Sequence, residues 1–458
     1  MIELNKIYEF KIIDIGMNFE GIAKTDEGLT VFIPNSLKGE TVKAKIIKIN
    51  RSYALGELKE ILIKSKNRCN AKCKYYDRCG GCEAMHMEYL ATLDNKKEKV
   101  INNIVKQELD EELVTNIYGM DNPYYYRNKV QYPVRWKNNK NVIGMYEKGS
   151  HDIVNNETCF IQDKLTHEVA RYTFDVITKN GLIGYDEKKL TGDIRNIMVR
   201  RGIHTGEIML VLVVTRKKLK EDSRIKESIE EITTKYNDII SVVLNVNNNN
   251  TNVILSDENI CIYGKEYITD KIGEYTFKIT ADSFFQVNTL QAEVLYNLLK
   301  KNMKLEKDKT ILELYSGVGS IGIYLSDEVK DIYAVEIVKS AVEAAKKNAK
   351  INNVENVIHV LGDATRETLK LQKQGKFFDY IVVDPPRKGL DKQGIDLILK
   401  LAPTKIGYVS CNSATLARDL KLLSEKYDVE SIELVDMFPW TSHVECCSVL
   451  KLKESTEI

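Results

Sequence analysis

Cys411 closes an apolar run, Ile406-Gly407-Tyr408-Val409-Ser410, and is followed by Asn412 and a helix-like stretch beginning at Ser413. A thiol at the carboxyl end of a strand in a parallel sheet stands where such sheets bind ligands, and as a thiolate it is a nucleophile. A second reactive group ends the preceding apolar run, in Val383-Asp384-Pro385-Pro386-Arg387-Lys388-Gly389. The consecutive prolines fix the backbone and leave Asp384 projecting at the sheet edge. A third is Glu445, in Trp440-Thr441-Ser442-His443-Val444-Glu445-Cys446-Cys447 at the start of a late strand. A carboxylate partly removed from water gains proton affinity toward neutrality, as proton abstraction requires. His443 is the rival base. Cys446 and Cys447 alternate faces of that strand and read as packing residues.

Glu313-Leu314-Tyr315-Ser316-Gly317-Val318-Gly319-Ser320-Ile321-Gly322 follows a strand and opens a helix, where glycines let the backbone approach a ligand closely. Glu336 lies nineteen residues after Gly317, at the end of the next strand, where a carboxylate can accept both ribose hydroxyl hydrogens. Asp363 ends the third strand, placed to face an adenine edge. An acidic residue just before the glycines repels a pyrophosphate and suits a positively charged cofactor such as S-adenosylmethionine, which favours a methyltransferase over a dinucleotide oxidoreductase. Methyltransferases acting on base amino groups hold the amine with Asp/Asn-Pro-Pro-aromatic; here the fourth residue is Arg387. With a cysteine on the next strand, that departure points to carbon methylation. Position five of uracil becomes nucleophilic once a thiolate has added to position six, after which a base must remove the proton on position five.

Cys73, Cys79 and Cys82 form Cys-x5-Cys-x2-Cys around Gly80-Gly81, and Cys159 could close a set of four. Four thiolates suit an iron–sulfur cluster or zinc, and Cys69 is a spare thiol. Tyr124 to Lys137 interleaves aromatics with Arg127, Lys129 and Arg135, a mixture that suits stacking on unpaired bases and pairing with phosphates. Asp282-Ser283-Phe284-Phe285-Gln286-Val287-Asn288 adds aromatic faces and an amide for holding the base or the cofactor.

These groups need elements to carry them, and a chain of 458 residues has room for two or three domains. Residues 1–62 predict a small all-β unit, a five-strand barrel of the oligonucleotide-binding kind, from Tyr8–Ile15, Leu29–Pro34 and Val42–Ile49. From Lys38 to Arg78 there are twelve Lys/Arg against four Asp/Glu, an excess of eight that could follow a phosphate backbone. A helix is expected from about Glu88 to Leu113, with Leu90, Leu93, Val100, Ile101 and Ile104 as its apolar stripe. Residues 118–275 read as strand-rich. From Phe277 onward, strands at Thr310–Tyr315, Asp331–Glu336, Val357–Leu361, Tyr380–Val383 and Ile406–Ser410 alternate with helices, which predicts a parallel sheet covered on both faces. The opening residues carry no signal-peptide pattern and no run is long enough for a membrane span, so a cytoplasmic location is expected.

Tyr126-Arg127-Asn128-Lys129, Phe284-Phe285-Gln286-Val287-Asn288, Asp384-Pro385-Pro386-Arg387, Ser410-Cys411-Asn412 and His443-Val444-Glu445 together resemble the bacterial RNA uracil-5-methyltransferases, in particular the ribosomal RNA branch. The resemblance spans nearly the whole chain. It implies a Rossmann-like class I methyltransferase domain over 276–458, a TRAM barrel over 1–62 and a central iron–sulfur domain over 63–275. The helix near 88–115 would pack on the catalytic domain. Cys411 would be the nucleophile and Glu445 the proton acceptor, with Gln286, Tyr315, Gly317, Glu336, Asp363 and Asp384 at the S-adenosylmethionine site. Cys73, Cys79, Cys82 and Cys159 would hold a 4Fe–4S cluster, and Arg127, Lys129 and Phe284 would meet RNA. The implied substrate is a uridine of 23S ribosomal RNA, acted on by a monomer. Transfer RNA relatives, which act on the T-loop uridine, would lack both barrel and cluster. An RNA-binding or assembly factor with a silent thiol is the alternative from another class.

Overall fold

The computed structural model describes residues 2–454. The N-terminal strands Ile7–Lys11, Asp14–Ile15, Gly21–Lys24, Thr30–Ile33, Thr41–Ile49 and Tyr53–Ile63 pair in the order first, fifth, sixth, fourth, third, second. Because the first two are one segment bent at Ile12 and Ile13, the order returns to its start and gives the expected five-strand barrel. Alternate residues point inward, among them Phe10, Val31, Ile33, Val42, Ala44 and Ile46. Much of the local positive charge is neutralised within the molecule: Lys38, Lys43, Lys59, Arg68, Lys74 and Arg78 all form ion pairs.

The helix that follows is shorter than expected, Tyr89–Val105. The chain leaves it as Glu108 turns left-handed at φ 55°, and a 3-10 turn at Glu111–Leu113 leads into a strand, Val114–Tyr118. Val100 and Ile104 enter the catalytic core. Leu90, placed on the apolar stripe, is 73% exposed, because the buried face is built instead around Ala91, Leu93 and the fully buried Lys96.

The central sheet runs Asn259–Gly264, Ile239–Val246, Ile208–Val214, Ile194–Arg201, Lys129–Lys137, Lys140–Ile143. Helices Lys164–Lys179 and Ser223–Lys235, absent from the strand-rich expectation, cover one face through Val169, Ala170, Ile229 and Ile232. Met198, Met209, Val211 and Val243 on the other face pack into the catalytic domain, so the strand Ile208–Val214 is apolar on both sides.

The catalytic sheet has eight strands in the order Val357–Leu361, Asp331–Glu336, Thr310–Leu314, Tyr380–Val383, Lys405–Ser410, Glu445–Leu452, Tyr427–Val435, Val114–Tyr118. The first five are mutually parallel, and Glu445–Leu452 runs antiparallel to both neighbours. The order reverses beside Thr310–Leu314, which opens a crevice at the carboxyl ends of the strands. Two domain limits need correction. The outer strand comes from residues 114–118, far upstream of 276, and the division at 275/276 falls inside the hairpin Ile268–Ile272/Tyr275–Ile279. Pairing across distant sequence decides the first, and a two-residue turn at Gly273-Glu274 decides the second. Among the described residues no helix is long and apolar enough to cross a membrane.

Candidate active site

Strand register brings the reactive groups together. Val409 pairs with Cys447 and Ser410 with Cys446, so the next step of the antiparallel ladder sets Cys411 opposite Glu445. Asp384 follows Tyr380–Val383 at the same edge, where Val383 pairs with Tyr408. Asn412 caps the helix Ser413–Leu423 by accepting from the Ala414 N–H, and its Nδ2 donates to the Arg387 carbonyl at 2.9 Å. Thr415 Oγ1 donates to the same carbonyl at 3.3 Å, which fixes the Pro-Pro-Arg turn beside the thiol.

Burial dominates the electrostatics. It pushes the Cys411 thiol up to about 11, with Glu445 and Asp384 adding repulsion and Arg387 opposing it. Glu445, 6% exposed, is pushed up to about 8 by burial and then by Asp384, again against Arg387. Asp384 is raised to about 7 by burial alone. His443 is held below its ordinary range by burial and then by Arg387, and it is the Glu445 charge that the Cys411 thiol feels.

At the glycine turn, Tyr315, Gly317 and Gly319 all have positive φ. Gly317 N–H donates to Glu336 Oε2 at 2.9 Å and Val338 N–H to Oε1 at 2.8 Å, which fixes the carboxylate while leaving lone pairs for further donors. Ile337 beside it is 66% exposed, an apolar surface at the crevice that sequence inspection passed over. Asp363 caps the helix Ala364–Lys373 through the Arg366 N–H, and its charge is felt by Tyr315, whose phenol burial raises to about 12. Glu313 departs from expectation. It is 2% exposed, its Oε2 has no partner, and burial pushes it up to about 8, so it is largely uncharged at neutral pH. Its role is structural: Gly322 N–H donates to Oε1, and a Cβ at Gly322 would lie 2.3 Å from Oε2.

The segment carrying Phe284 and Gln286 is stapled from the central sheet. Buried Arg200 donates to the carbonyls of Thr280 and Ser283, and Asn128 Nδ2 donates to Gln286 O at 2.9 Å and Thr289 Oγ1 at 3.0 Å. Phe284 is left 69% exposed. Lys129 pairs across the ladder with Arg200, and burial lowers it to about 8, reinforced by Arg200 and Arg127. Arg127 Nε is buried without a partner. Arg127 is also felt by the thiols of Cys82 and Cys159.

Carbonyls of the chain leading to Glu445 are held by donors from elsewhere. Gln291 Nε2 reaches Asp436 O, Asn288 Nδ2 reaches Met437 O, Lys96 Nζ reaches Phe438 O, Tyr126 OH reaches Pro439 O and Lys99 Nζ reaches Ser442 O. Lys96 also pairs with Asp436, both fully buried, and Tyr89 OH donates to the other Asp436 oxygen at 2.7 Å. Neither Lys96 nor Asp436 stood out in the sequence, since a lysine within an amphipathic helix reads as solvated.

Cys73, Cys79, Cys82 and Cys159 line one small cavity, closed by Met85, Met145 and Ile161. Burial raises the thiols of Cys79, Cys82 and Cys159, and each feels its fellow cysteines. Backbone N–H groups point at two of the sulfurs, from Gly81 to Cys79 and from Ile161 and Gln162 to Cys159. Among the described residues no three such side chains converge on a single metal ion. Cys69 stands outside the cavity, its Sγ 3.6 Å from Met85 O.

A parallel sheet whose glycine turn is tied to a carboxylate at the end of the next strand is that of a class I S-adenosylmethionine-dependent methyltransferase fold, here joined to an N-terminal TRAM domain matched over residues 3–59. The chain belongs to the tRNA (uracil-5-)-methyltransferase family, whose model matches residues 88–453. Its relatives include RNA methyltransferases described as uncharacterized from Oceanobacillus iheyensis, 41% identical over 98% of both chains, and from Clostridium acetobutylicum, also 41% identical over 98% of both. The crystal structure of Pyrococcus abyssi tRNA (uracil-54, C5)-methyltransferase with S-adenosyl-L-homocysteine superposes with a TM-score of 0.79 at 26% identity. It covers 97% of this chain and 100% of that one. Coverage of 97% of this chain extends over the barrel, so this transfer RNA enzyme departs from the general expectation that such enzymes lack one.

Proposed function

We propose that this enzyme methylates carbon 5 of a uridine in 23S ribosomal RNA by covalent catalysis. The observation that carries the reading is Cys411 set opposite Glu445, with Asp384 at the same edge. The Cys411 thiolate adds to C6 of a uracil swung out of its stack, forming the C6–S bond and moving the ring electrons onto C5 and the C4 oxygen. S-adenosylmethionine supplies the methyl group to C5 and leaves as the neutral thioether. Glu445 then takes the C5 proton; those electrons restore the C5–C6 double bond as the C6–S bond breaks and the Cys411 thiolate leaves. Glu336 would hold the ribose hydroxyls and Asp363 the adenine edge, with Gly317 and Tyr315 shaping the turn and Gln286 and Asp384 closing the site. Arg127, Lys129 and Phe284 would grip the RNA, as a cytoplasmic RNA enzyme requires.

The cysteine cavity supports a 4Fe–4S cluster held by Cys73, Cys79, Cys82 and Cys159. The N–H groups aimed at sulfur suit thiolate ligands. Zinc, which four thiolates also suit, is the alternative. The cluster would brace the loop, since the methyl transfer moves no net electrons.

The test is trapping. RNA containing 5-fluorouridine, incubated with S-adenosylmethionine, should leave a denaturation-resistant adduct that Cys411→Ala abolishes. RNA that is methylated without ever forming the adduct overturns the covalent route. The Pyrococcus abyssi likeness favours a second reading, a transfer RNA uridine. Mapping 5-methyluridine in both RNAs from cells lacking the gene separates the two.

A further inference from the structure

The donors that hold the chain before Glu445 mostly take carbonyls, one each. Glu83, directly after Cys82, grips it in both directions. Its N–H donates to Trp440 O at 2.9 Å, joined by Ala84 N–H at 3.1 Å, and its Oε2 accepts the Ser442 N–H at 2.6 Å. Between those two contacts the backbone is under strain, for Trp440 is left-handed at φ 65°. A bulky residue there costs about 1–3 kcal/mol and persists only where the surroundings over-determine it. Trp440 is otherwise anchored by its own indole, which donates to Pro123 O at 2.9 Å and stacks on Tyr124 at 5.1 Å. Those anchors fix the side chain. Ser442, through which the chain enters the strand Glu445–Leu452, is held at its N–H by the Glu83 carboxylate and at its carbonyl by Lys99 Nζ.

We propose that Glu83 is a positioning residue: its carboxylate clamps the Ser442 peptide and so aims Glu445 at the proton it must remove. This rests on the covalent route proposed above. The hydrogen bonds of Glu83 run to Trp440, Ser442 and Tyr76 and none to Cys411, so its loss should spare the addition of Cys411 and the methyl transfer. What it should impair is the last step, in which Glu445 takes the C5 proton while the C6–S bond breaks.

The experiment follows both steps with the full-length protein, S-adenosylmethionine and RNA carrying either uridine or 5-fluorouridine at the target. For Glu83→Ala, adduct formation on 5-fluorouridine RNA should stay within about two-fold of wild type. Breakdown of the methylated adduct on ordinary RNA should slow by about 10- to 100-fold, so that covalent protein–RNA accumulates. Glu83→Gln, whose amide oxygen still accepts the Ser442 N–H, should restore breakdown. Should Glu83→Ala not fold, Glu83→Asp, one carbon too short to reach, is expected to give the same slow breakdown. Formation and breakdown slowed alike, breakdown unchanged, or Gln failing as Ala does would each overturn the clamp. A wild-type protein that never traps removes the covalent route and this proposal with it; one that traps while Glu83→Ala behaves normally removes the clamp alone.

Discussion

Lys96→Met tests how the base-bearing chain is held. The Lys96–Asp436 pair has both side chains fully buried, and the ammonium also donates to Phe438 O at 3.0 Å. Methionine fills the space of the stem but leaves the Asp436 carboxylate buried with only Tyr89 OH, 2.7 Å from its other oxygen. Breaking a buried pair by removing one partner costs about 3–5 kcal/mol, while the Phe438 carbonyl keeps the Thr441 N–H and Oγ1 as donors. The phenol that remains on Asp436 offsets about 1 kcal/mol, so the net expectation is a loss of about 2–4 kcal/mol. Urea unfolding followed by tryptophan emission in a Trp136→Phe background reads this at Trp440, 3% exposed and inside the affected segment. Adding Asp436→Leu removes the stranded charge and should recover most of the loss. A single variant that loses less than about 1 kcal/mol, or a double variant as unstable as the single, refutes the argument.

Glu445→Gln should form the methylated adduct and release it about 10²- to 10⁴-fold more slowly, read as covalent RNA on denaturing gels; free turnover would acquit Glu445 as the base. Single-turnover product release should rise with pH through about 8, since burial raises the Glu445 carboxyl and only its deprotonated form accepts the proton. A profile flat across that range contradicts the assignment. Arg387→Met should displace that limb to higher pH, because Arg387 is the cation that opposes the upward shift of both Glu445 and Cys411. Glu336→Ala should weaken S-adenosylhomocysteine binding by about 1–3 kcal/mol in calorimetry, with the fold intact by circular dichroism.

The parallel strands and their reactive ends were legible because each strand is a local apolar run ending in the residue that matters. Thr310–Leu314, Asp331–Glu336, Val357–Leu361 and Tyr380–Val383 begin and end within a residue of expectation. Cys411 and Glu445 could be paired because each begins or ends its own strand, and register did the rest. What stayed hidden depends on distant chain segments. Val114–Tyr118 joins the catalytic sheet from the far side of the central domain, and Lys96 reads as a surface lysine until its partner, 340 residues away, is in place. Glu313 was legible as an acid and misleading as a charge, because burial decides its protonation and sequence does not report burial.

The site has a charge problem that its geometry only partly solves. Cys411 must be a thiolate for the first step, yet burial and the two carboxyls push it to about 11, so passing its proton to Glu445, at about 8, is unfavourable. Arg387 is the cation on the chain that favours the thiolate, and it is exposed. A positive charge brought to the crevice beside Asp384 would offset the repulsion that Asp384 exerts on both Cys411 and Glu445. It follows that the thiol should react faster when the cofactor site holds a cation. Adduct formation on 5-fluorouridine RNA, without methyl transfer, should therefore be faster with a cationic amine analogue of S-adenosylmethionine than with neutral S-adenosylhomocysteine, both at saturation. Equal rates would mean that Arg387 and the RNA itself supply the ionisation, and that the cofactor's charge serves only its own binding.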